Sequence, residues 1–280
     1  MNSRMIDAMA AHLNVDEDDL RTRLINVEGA YSVFQVPKRR GLRRIEAPHP
    51  WLKAVQRFLL DQYLGRIRSH PAAHGFCRGR NIFSHACRHA NKQWVVTVDI
   101  QDFFPSVTRS MLTRLPRELG LDQDDGDLLL DVVTRKGHLP QGAPTSPHLG
   151  NLVLRDLDRW LESLAAKQGW HYSRYADDLV MSGNELPNAM LDELKASTGS
   201  AGFRVNPAKC RIMGRNQRQW VTGLVVNEGL KLPREQRRLL RAAAHQMLSG
   251  RLQENAPRLR GQLSFHEFSR RQERALLGAG

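Results

Sequence analysis

The feature that most constrains this chain is a pair of short apolar runs, each carrying acids at its end or turn. Trp94-Val-Val-Thr-Val-Asp99-Ile100 is rich in β-branched residues, and Trp170 to Ser182 is a second β-like run interrupted by Tyr175-Ala-Asp-Asp178. Runs of this length and branching read as buried strands. The first delivers Asp99 to a sheet edge, and the second folds as a hairpin with Asp177 and Asp178 at its turn. Two adjacent strands can bring the three carboxylates together.

The remaining segments surround such a sheet with helices. Residues 1–28 read as a short helical lead-in, and Tyr31 to Val36 with the segment after Pro37-Lys-Arg-Arg-Gly41 reads as a hairpin with a basic tip. Leu52, Val55, Phe58, Leu59, Tyr63 and Leu64 recur at three and four positions, which predicts an amphipathic helix from Trp51 to Ile67. Leu139 to Pro147 holds three prolines and a glycine and must be a loop. Leu149 to Leu164 and Met190 to Thr198 read as helices, and Phe203–Asn206, Cys210–Met213 and Gln219–Val226 as strands. Pro233 to Leu248 reads as a basic helix. The class expected is α+β.

Charge narrows the partners. The chain has 280 residues with 42 Lys+Arg against 29 Asp+Glu, a formal net charge of +13, and 41% hydrophobic residues, enough for a core and too many for general disorder. The basic groups fall in clusters: Lys38 to Arg40 with Arg43 and Arg44, Arg78 and Arg80, then Arg234, Arg237, Arg238 and Arg241, and later Arg258, Arg260, Arg270 and Arg271. Clusters spread over several elements suit a groove for nucleic acid, and equally a set of solvated faces. No apolar run is long enough to span a membrane, and the acidic first twenty residues do not read as a signal peptide, so a cytoplasmic location is expected. Cys77, Cys87 and Cys210 match neither a disulfide framework nor zinc spacing and read as reduced thiols.

Clustered carboxylates repel one another, and hard divalent cations are the usual remedy. Two Mg²⁺ ions about 3.5–4 Å apart can polarise an attacking hydroxyl and hold a departing pyrophosphate, which is nucleotidyl transfer. Asp-Asp pairs also occur in ordinary turns, and an Asp after a strand often caps the next element. The companions decide between these readings, because the acids stand in one ordered set with Leu139-Pro-Gln-Gly142.

In that order the chain resembles bacterial reverse transcriptases: Arg43-Arg-Ile-Glu-Ala-Pro48, His74-Gly-Phe-Cys-Arg-Gly-Arg80, Val98-Asp-Ile-Gln-Asp-Phe-Phe-Pro105, Leu139-Pro-Gln-Gly-Ala-Pro-Thr-Ser-Pro147, Tyr175-Ala-Asp-Asp178 and Asn206-Pro-Ala-Lys209. It is most similar to the retron type, which carries a Val-Thr-Gly motif like Val221-Thr-Gly223 and an Asn-Ala-x-x-His motif like His85-Ala-Cys-Arg-His89, where His85 replaces the Asn. The resemblance implies a right-hand polymerase: residues 1–30 a lead-in, 31–230 the fingers and a palm with a small antiparallel sheet, and 231–280 a short helical thumb.

It also implies roles. Asp99, Asp177 and Asp178 would be catalytic and would bind two Mg²⁺ ions, with the carbonyl of Ile100 as a further ligand. Lys38, Arg43 and Arg44 would clamp the triphosphate, for which planar guanidinium donors are suited. Phe104 would exclude a sugar 2′-hydroxyl, Gln141 and Gly142 would contact the incoming nucleotide, and Lys209 would donate a proton near the pyrophosphate. Arg78 and Arg80 would touch template backbone, and Arg234, Arg237, Arg238 and Arg241 the duplex. Asp102 reads as a solvated acid or a helix cap, and Phe103 as a core aromatic.

The activity implied is RNA-directed DNA synthesis from deoxynucleoside triphosphates on a structured noncoding RNA. Priming from a 2′-hydroxyl would yield an RNA–DNA product, and antiphage defence would involve an effector protein. The rivals are another defence-associated or diversity-generating reverse transcriptase, and a non-catalytic RNA-binding scaffold.

Overall fold

The computed structural model describes residues 3–38, 41–248 and a few positions between 261 and 275. Arg39, Arg40, Arg258, Arg260 and Arg270 lie outside the described residues, as does most of the expected thumb after 248.

The chain opens with α1 (Arg4–Leu13) and α2 (Glu17–Ile25), each started by a side-chain cap: Ser3 accepts from the Ile6 amide and Asp16 from the Asp19 amide. The hairpin follows as β1 (Tyr31–Pro37) and β2 (Leu42–Pro48), in register from Tyr31 opposite Pro48 to Pro37 opposite Leu42. Helix α3 (Pro50–Gln62) ends earlier than its apolar period predicts, and Leu64–Arg66 continues as a 3₁₀ turn. Then come α4 (Ile82–Cys87), β3 (Trp94–Asp99), α5 (Phe103–Ser106), α6 (Leu115–Glu118), α7 (Gln123–Val133), α8 (Ser146–Val153) and α9 (Arg155–Lys167). The last part holds β4 (His171–Tyr175), β5 (Asp178–Gly183), α10 (Met190–Ser200), β6 (Arg211–Gly214), β7 (Trp220–Val221), β8 (Leu224–Val225) and α11 (Arg234–Leu248). The α+β class is as expected.

Two compact units share these elements. The first comprises Met1–Pro71 with Gln101–Leu157, the second Ala72–Ile100 with Asp158–Gly280. In the first, α3 packs between α1 and α7 through fully buried Met5, Met9, Leu52, Leu59, Leu129 and Val132. Buried Gln56 is held there by donating to the Tyr31 hydroxyl and the Val132 carbonyl, each at 2.9 Å.

The second unit is built on a four-stranded antiparallel sheet in the order β4-β5-β3-β6. A core of Phe83, Val95, Val180, Met213, Val221, Leu224 and Leu240 lies on one face, and α10 packs against β3.

Three expectations are corrected. The helix predicted over 149–164 is two, because α8 tightens at Leu154 and Arg155 turns its Nε back onto the Leu152 carbonyl at 3.3 Å. Gln219–Val226 is not one strand: Thr222 (φ 45°) and Gly223 (φ 83°) both take positive φ, the pattern of a two-residue type I′ turn, so the Val-Thr-Gly motif is the bend between β7 and β8. Phe203–Asn206 makes no strand, only a single bridge between Val205 and Ile100.

In α11, Leu240 is buried and Leu239 is 71% exposed. The three cysteines are free thiols.

Candidate active site

The three acids meet in the second unit. Antiparallel pairing places Asp99, the last residue of β3, directly opposite Asp178, the first of β5, and the Ile100 amide donates to the Asp177 carbonyl at 3.0 Å. Tyr175 pairs with Asp178, so Ala176 and Asp177 form a two-residue turn, and Ala176 sits at φ 55°. A non-glycine residue there costs about 1–2 kcal/mol and persists only because its surroundings enforce it.

Two contacts do so. Arg174 donates Nη1 to the Ala176 carbonyl at 2.8 Å. A Cβ on Gly75 would stand 2.5 Å from the Ala176 amide, so only glycine lets the segment from Ala72 to Gly75 run against the turn. That segment is itself tied to β4, with the Arg174 amide donating to Ala72 and the His74 amide to Arg174.

Arg174 is wholly buried and so is its partner on α9. Its Nε and Nη2 reach the two oxygens of Asp158 at 2.9 and 2.8 Å, and the Tyr172 hydroxyl donates to Asp158 Oδ1 at 2.7 Å. This supports the turn from the sheet face opposite the acids.

Electrostatically the acids are crowded. Burial, then the charges of Asp177 and Asp99, push the Asp178 carboxyl up to about 7. Lys209 offsets part of this: its Nζ lies 2.6 Å from Asp99 Oδ2. Burial opposes its charge, but the hydrogen bond to Asp99 and the charges of all three acids hold its pKa above the usual lysine value. The Asn-Pro-Ala-Lys motif delivers it, because the Asn206 amide donates to the Asp99 carbonyl at 2.8 Å and Asn206 Oδ1 caps the short turn through Ala208.

Among the described residues, no three His, Cys, Asp or Glu side chains converge as a ready-made metal cage. The carboxylates are nonetheless the hard oxygen donors a divalent cation takes, and the raised Asp178 carboxyl records a deficit of positive charge that such a cation would fill.

The other sequence candidates fall in their own groups. In the first unit, Lys38, Arg43 and Arg44 are exposed on the β1–β2 hairpin. The Glu46 amide of β2 donates to the Gln141 carbonyl at 2.9 Å, and a Cβ on Gly142 (φ 143°) would lie 2.9 Å from the Glu46 carbonyl, so the Pro-Gln-Gly loop is laid directly on the hairpin strand. Phe103 is buried and Phe104 half-buried, their rings 5.2 Å apart. Asp102 is exposed, at φ 47°, and makes no capping hydrogen bond.

In the second unit Arg78 is exposed, whereas Arg80 is half-buried and donates to the Ala73 carbonyl, so it also fastens its loop. On α11, Arg234, Arg238 and Arg241 are exposed and Arg237 half-buried.

Sequence reasoning missed Glu46, Asp158 and Arg174. Glu46 is 3% exposed and is met by Arg135, by His138 Nε2 at 3.1 Å and by Arg44 at 3.3 Å. For Arg174 a signal existed: it shares a strand face with buried Tyr172, and a charge at such a position needs a buried counter-charge.

Comparisons with known proteins identify the family. The family model described as Reverse transcriptase (RNA-dependent DNA polymerase) matches residues 36–226. Retron Mx162 reverse transcriptase of Myxococcus xanthus is 36% identical over 303 aligned positions, covering 92% of this chain and 62% of that protein. Retron Mx65 reverse transcriptase of the same organism is 39% identical, covering 77% and 56%. The chain thus spans less than two thirds of these two relatives.

Retron Ec86 reverse transcriptase of Escherichia coli is 31% identical, covering 92% of this chain and 82% of that protein. Telomerase from Candida albicans, solved with a TWJ fragment of telomeric RNA, matches with a TM-score of 0.52 at 13% identity, over 72% of this chain and 46% of that one, a likeness of fold alone. Fold and sequence together place the chain in the reverse transcriptase class. The chain belongs to the reverse transcriptase family and, within it, to the retron type.

Proposed function

We propose that this chain is an RNA-directed DNA polymerase that extends a hydroxyl primer with deoxynucleoside triphosphates on a structured noncoding RNA. The observation that carries the reading is Asp99 opposite Asp178 with Asp177 at the adjoining turn. Three carboxylates, one of them pushed toward neutrality by burial and then by the charges of the others, are costly in a merely structural turn and useful in nucleotidyl transfer.

Asp99, Asp177 and Asp178, with the Ile100 carbonyl, would hold Mg²⁺, two ions in this reading. When bound, the metal supplies the positive charge that favours the attacking oxyanion and the pyrophosphate leaving group. The chain's own groups do the rest. Lys209, already drawn to the acids, holds a proton beside them that a departing pyrophosphate can take. Lys38, Arg43 and Arg44 offer donors to a triphosphate, Gln141 and the close-lying Gly142 backbone present a surface to the nucleotide, and Phe104 excludes a 2′-hydroxyl by overlap. Arg78, Arg80, Arg234, Arg237, Arg238 and Arg241 would neutralise template and duplex phosphates.

Family membership supports the retron features: a 2′-hydroxyl primer, a branched RNA–DNA product, and a role in antiphage defence beside an effector protein. No helix among the described residues is long and apolar enough to cross a membrane.

The test is extension of a primed RNA template by the wild type, Asp177→Ala and Asp178→Ala. Extension by the wild type alone is expected. A wild type that binds RNA and extends nothing overturns the reading in favour of a scaffold. Sequencing the copurifying nucleic acid examines the retron part, where DNA joined to RNA through a 2′–5′ bond is expected and RNA alone counts against it.

A further inference from the structure

On the sheet face that carries the acids, antiparallel register stacks side chains in layers. Tyr175, Asp178 and Asp99 form the first, Ser173, Val180 and Thr97 the second, and His171, Ser182 and Val95 the third. His89, two residues beyond α4, is wholly buried and touches two layers at once. Its Nε2 lies 2.7 Å from Ser173 Oγ on β4, and its Nδ1 lies 2.8 Å from Ser182 Oγ on β5.

His85, also wholly buried, places Nδ1 2.8 Å from the same Ser173 hydroxyl, with its ring 6.0 Å from that of Tyr175. A continuous chain of hydroxyl and imidazole groups therefore climbs from Ser182 through His89, Ser173 and His85 to the residue that opens the Tyr-Ala-Asp-Asp turn.

We propose that His89 and His85 are positioning residues that fix the register and pitch of the hairpin carrying Asp177 and Asp178; this rests on the polymerase reading above. A neutral imidazole offers one N–H and one lone pair, and a serine hydroxyl has one proton to give. Each of the three hydrogen bonds needs one donor and one acceptor, and every proton order that makes them requires Ser173 and Ser182 to stay on this face; His85 Nε2, at the end of the chain of groups, has no hydrogen-bond partner. A one-residue slip of either strand would send its serine to the other face and leave a buried imidazole nitrogen unpaired. Apolar packing at the same place would resist such a slip far less. Burial, ahead of the nearby positive groups, holds both rings neutral, as the arrangement needs.

The same geometry explains how His85 stands where the retron motif has Asn. Either side chain can present a nitrogen or oxygen to the Ser173 hydroxyl, so the position demands a hydrogen-bonding partner rather than an imidazole.

The test compares His89→Ala, Ser173→Ala, Ser182→Ala, His85→Ala and His85→Asn with the wild type in steady-state extension of a primed RNA, alongside melting curves. Misplacing the acids by a fraction of an ångström is expected to lower kcat about ten- to a hundredfold in His89→Ala and Ser173→Ala. KM for the deoxynucleotide should hardly move, and His85→Asn should recover most of what His85→Ala loses.

Should His89→Ala fail to fold, the serine variants carry the test. Wild-type kcat in Ser173→Ala and Ser182→Ala, or His85→Asn no better than His85→Ala, overturns the proposal while wild-type extension leaves the polymerase reading standing. A wild type that does not extend sinks both.

Discussion

Lys209 Nζ lies 2.6 Å from Asp99 Oδ2, and the same short segment binds the Asp99 carbonyl through the Asn206 amide at 2.8 Å. The ammonium and the acid are thus held together by backbone as well as by charge. Because the Lys209 side chain is 56% exposed, its ion pair contributes at most about 1 kcal/mol to the fold. Lys209→Met is therefore expected to leave the melting temperature within a few degrees of the wild type while slowing single-turnover extension about a hundredfold, the usual size of a lost proton donor. An unchanged rate would remove Lys209 from the chemistry.

The Arg174–Asp158 pair makes the opposite forecast. Both side chains are fully buried and joined by two hydrogen bonds, so removing one partner strands a charge at a cost of about 3–5 kcal/mol. Asp158→Ala should show this in denaturant unfolding. The double change Arg174→Met with Asp158→Leu should regain much of that stability but little extension, because the Ala176 carbonyl loses the Nη1 donor that supports the turn.

Glu46 ties the β1–β2 hairpin to the Pro-Gln-Gly loop in the first unit. Its carboxylate is buried against Arg135 and His138, while its backbone holds Gln141 and Gly142. Glu46→Gln keeps the shape and removes the charge. It is expected to raise KM for the deoxynucleotide several-fold with a smaller effect on kcat, measured at saturating primed template, whereas equal losses in both would argue for general unfolding.

Acid should weaken the second unit through its histidines. Burial, ahead of the positive charges of Arg80 and Arg88, lowers His74 to about 4, and burial ahead of His74, Arg174 and Arg88 lowers His85 to about 3. His89 is lowered by burial, then by His85, Arg88, His171 and His74. The unfolded chain takes up protons near pH 6.5 that the folded chain refuses, so stability is present above that value and lost as pH falls from about 6.5 toward 4, at about 1.4 kcal/mol per pH unit for each histidine. Denaturant midpoints at pH 7, 6 and 5 check this, and His74→Asn should flatten the dependence by about one proton.

Much of this site is written locally. The β-branched run before Asp99, the turn at Ala176-Asp177 and the proline-rich loop around Gln141 are each a matter of a few neighbouring residues, so period and turn chemistry reveal them. The misread segments fail for a related reason. Apolar positions keep recurring from Leu149 to Leu164 and from Gln219 to Val226, yet the chain bends at Leu154 and at Thr222-Gly223, and an apolar count does not register a bend.

The partners were illegible because a polar side chain carries no mark of its counterpart. His89 meets Ser182 across 93 positions and Arg135 meets Glu46 across 89, pairings that exist only once the strands and helices have docked. From its residues alone this protein is recognisable as an acid-bearing, basic, α+β member of the reverse transcriptase family with its three carboxylates in known order. Tertiary structure decided that Asp99 faces Asp178, that Lys209 shields them, and that buried histidines and a buried arginine brace the turn, because register and burial, which set distance and dielectric, are properties of the packed chain.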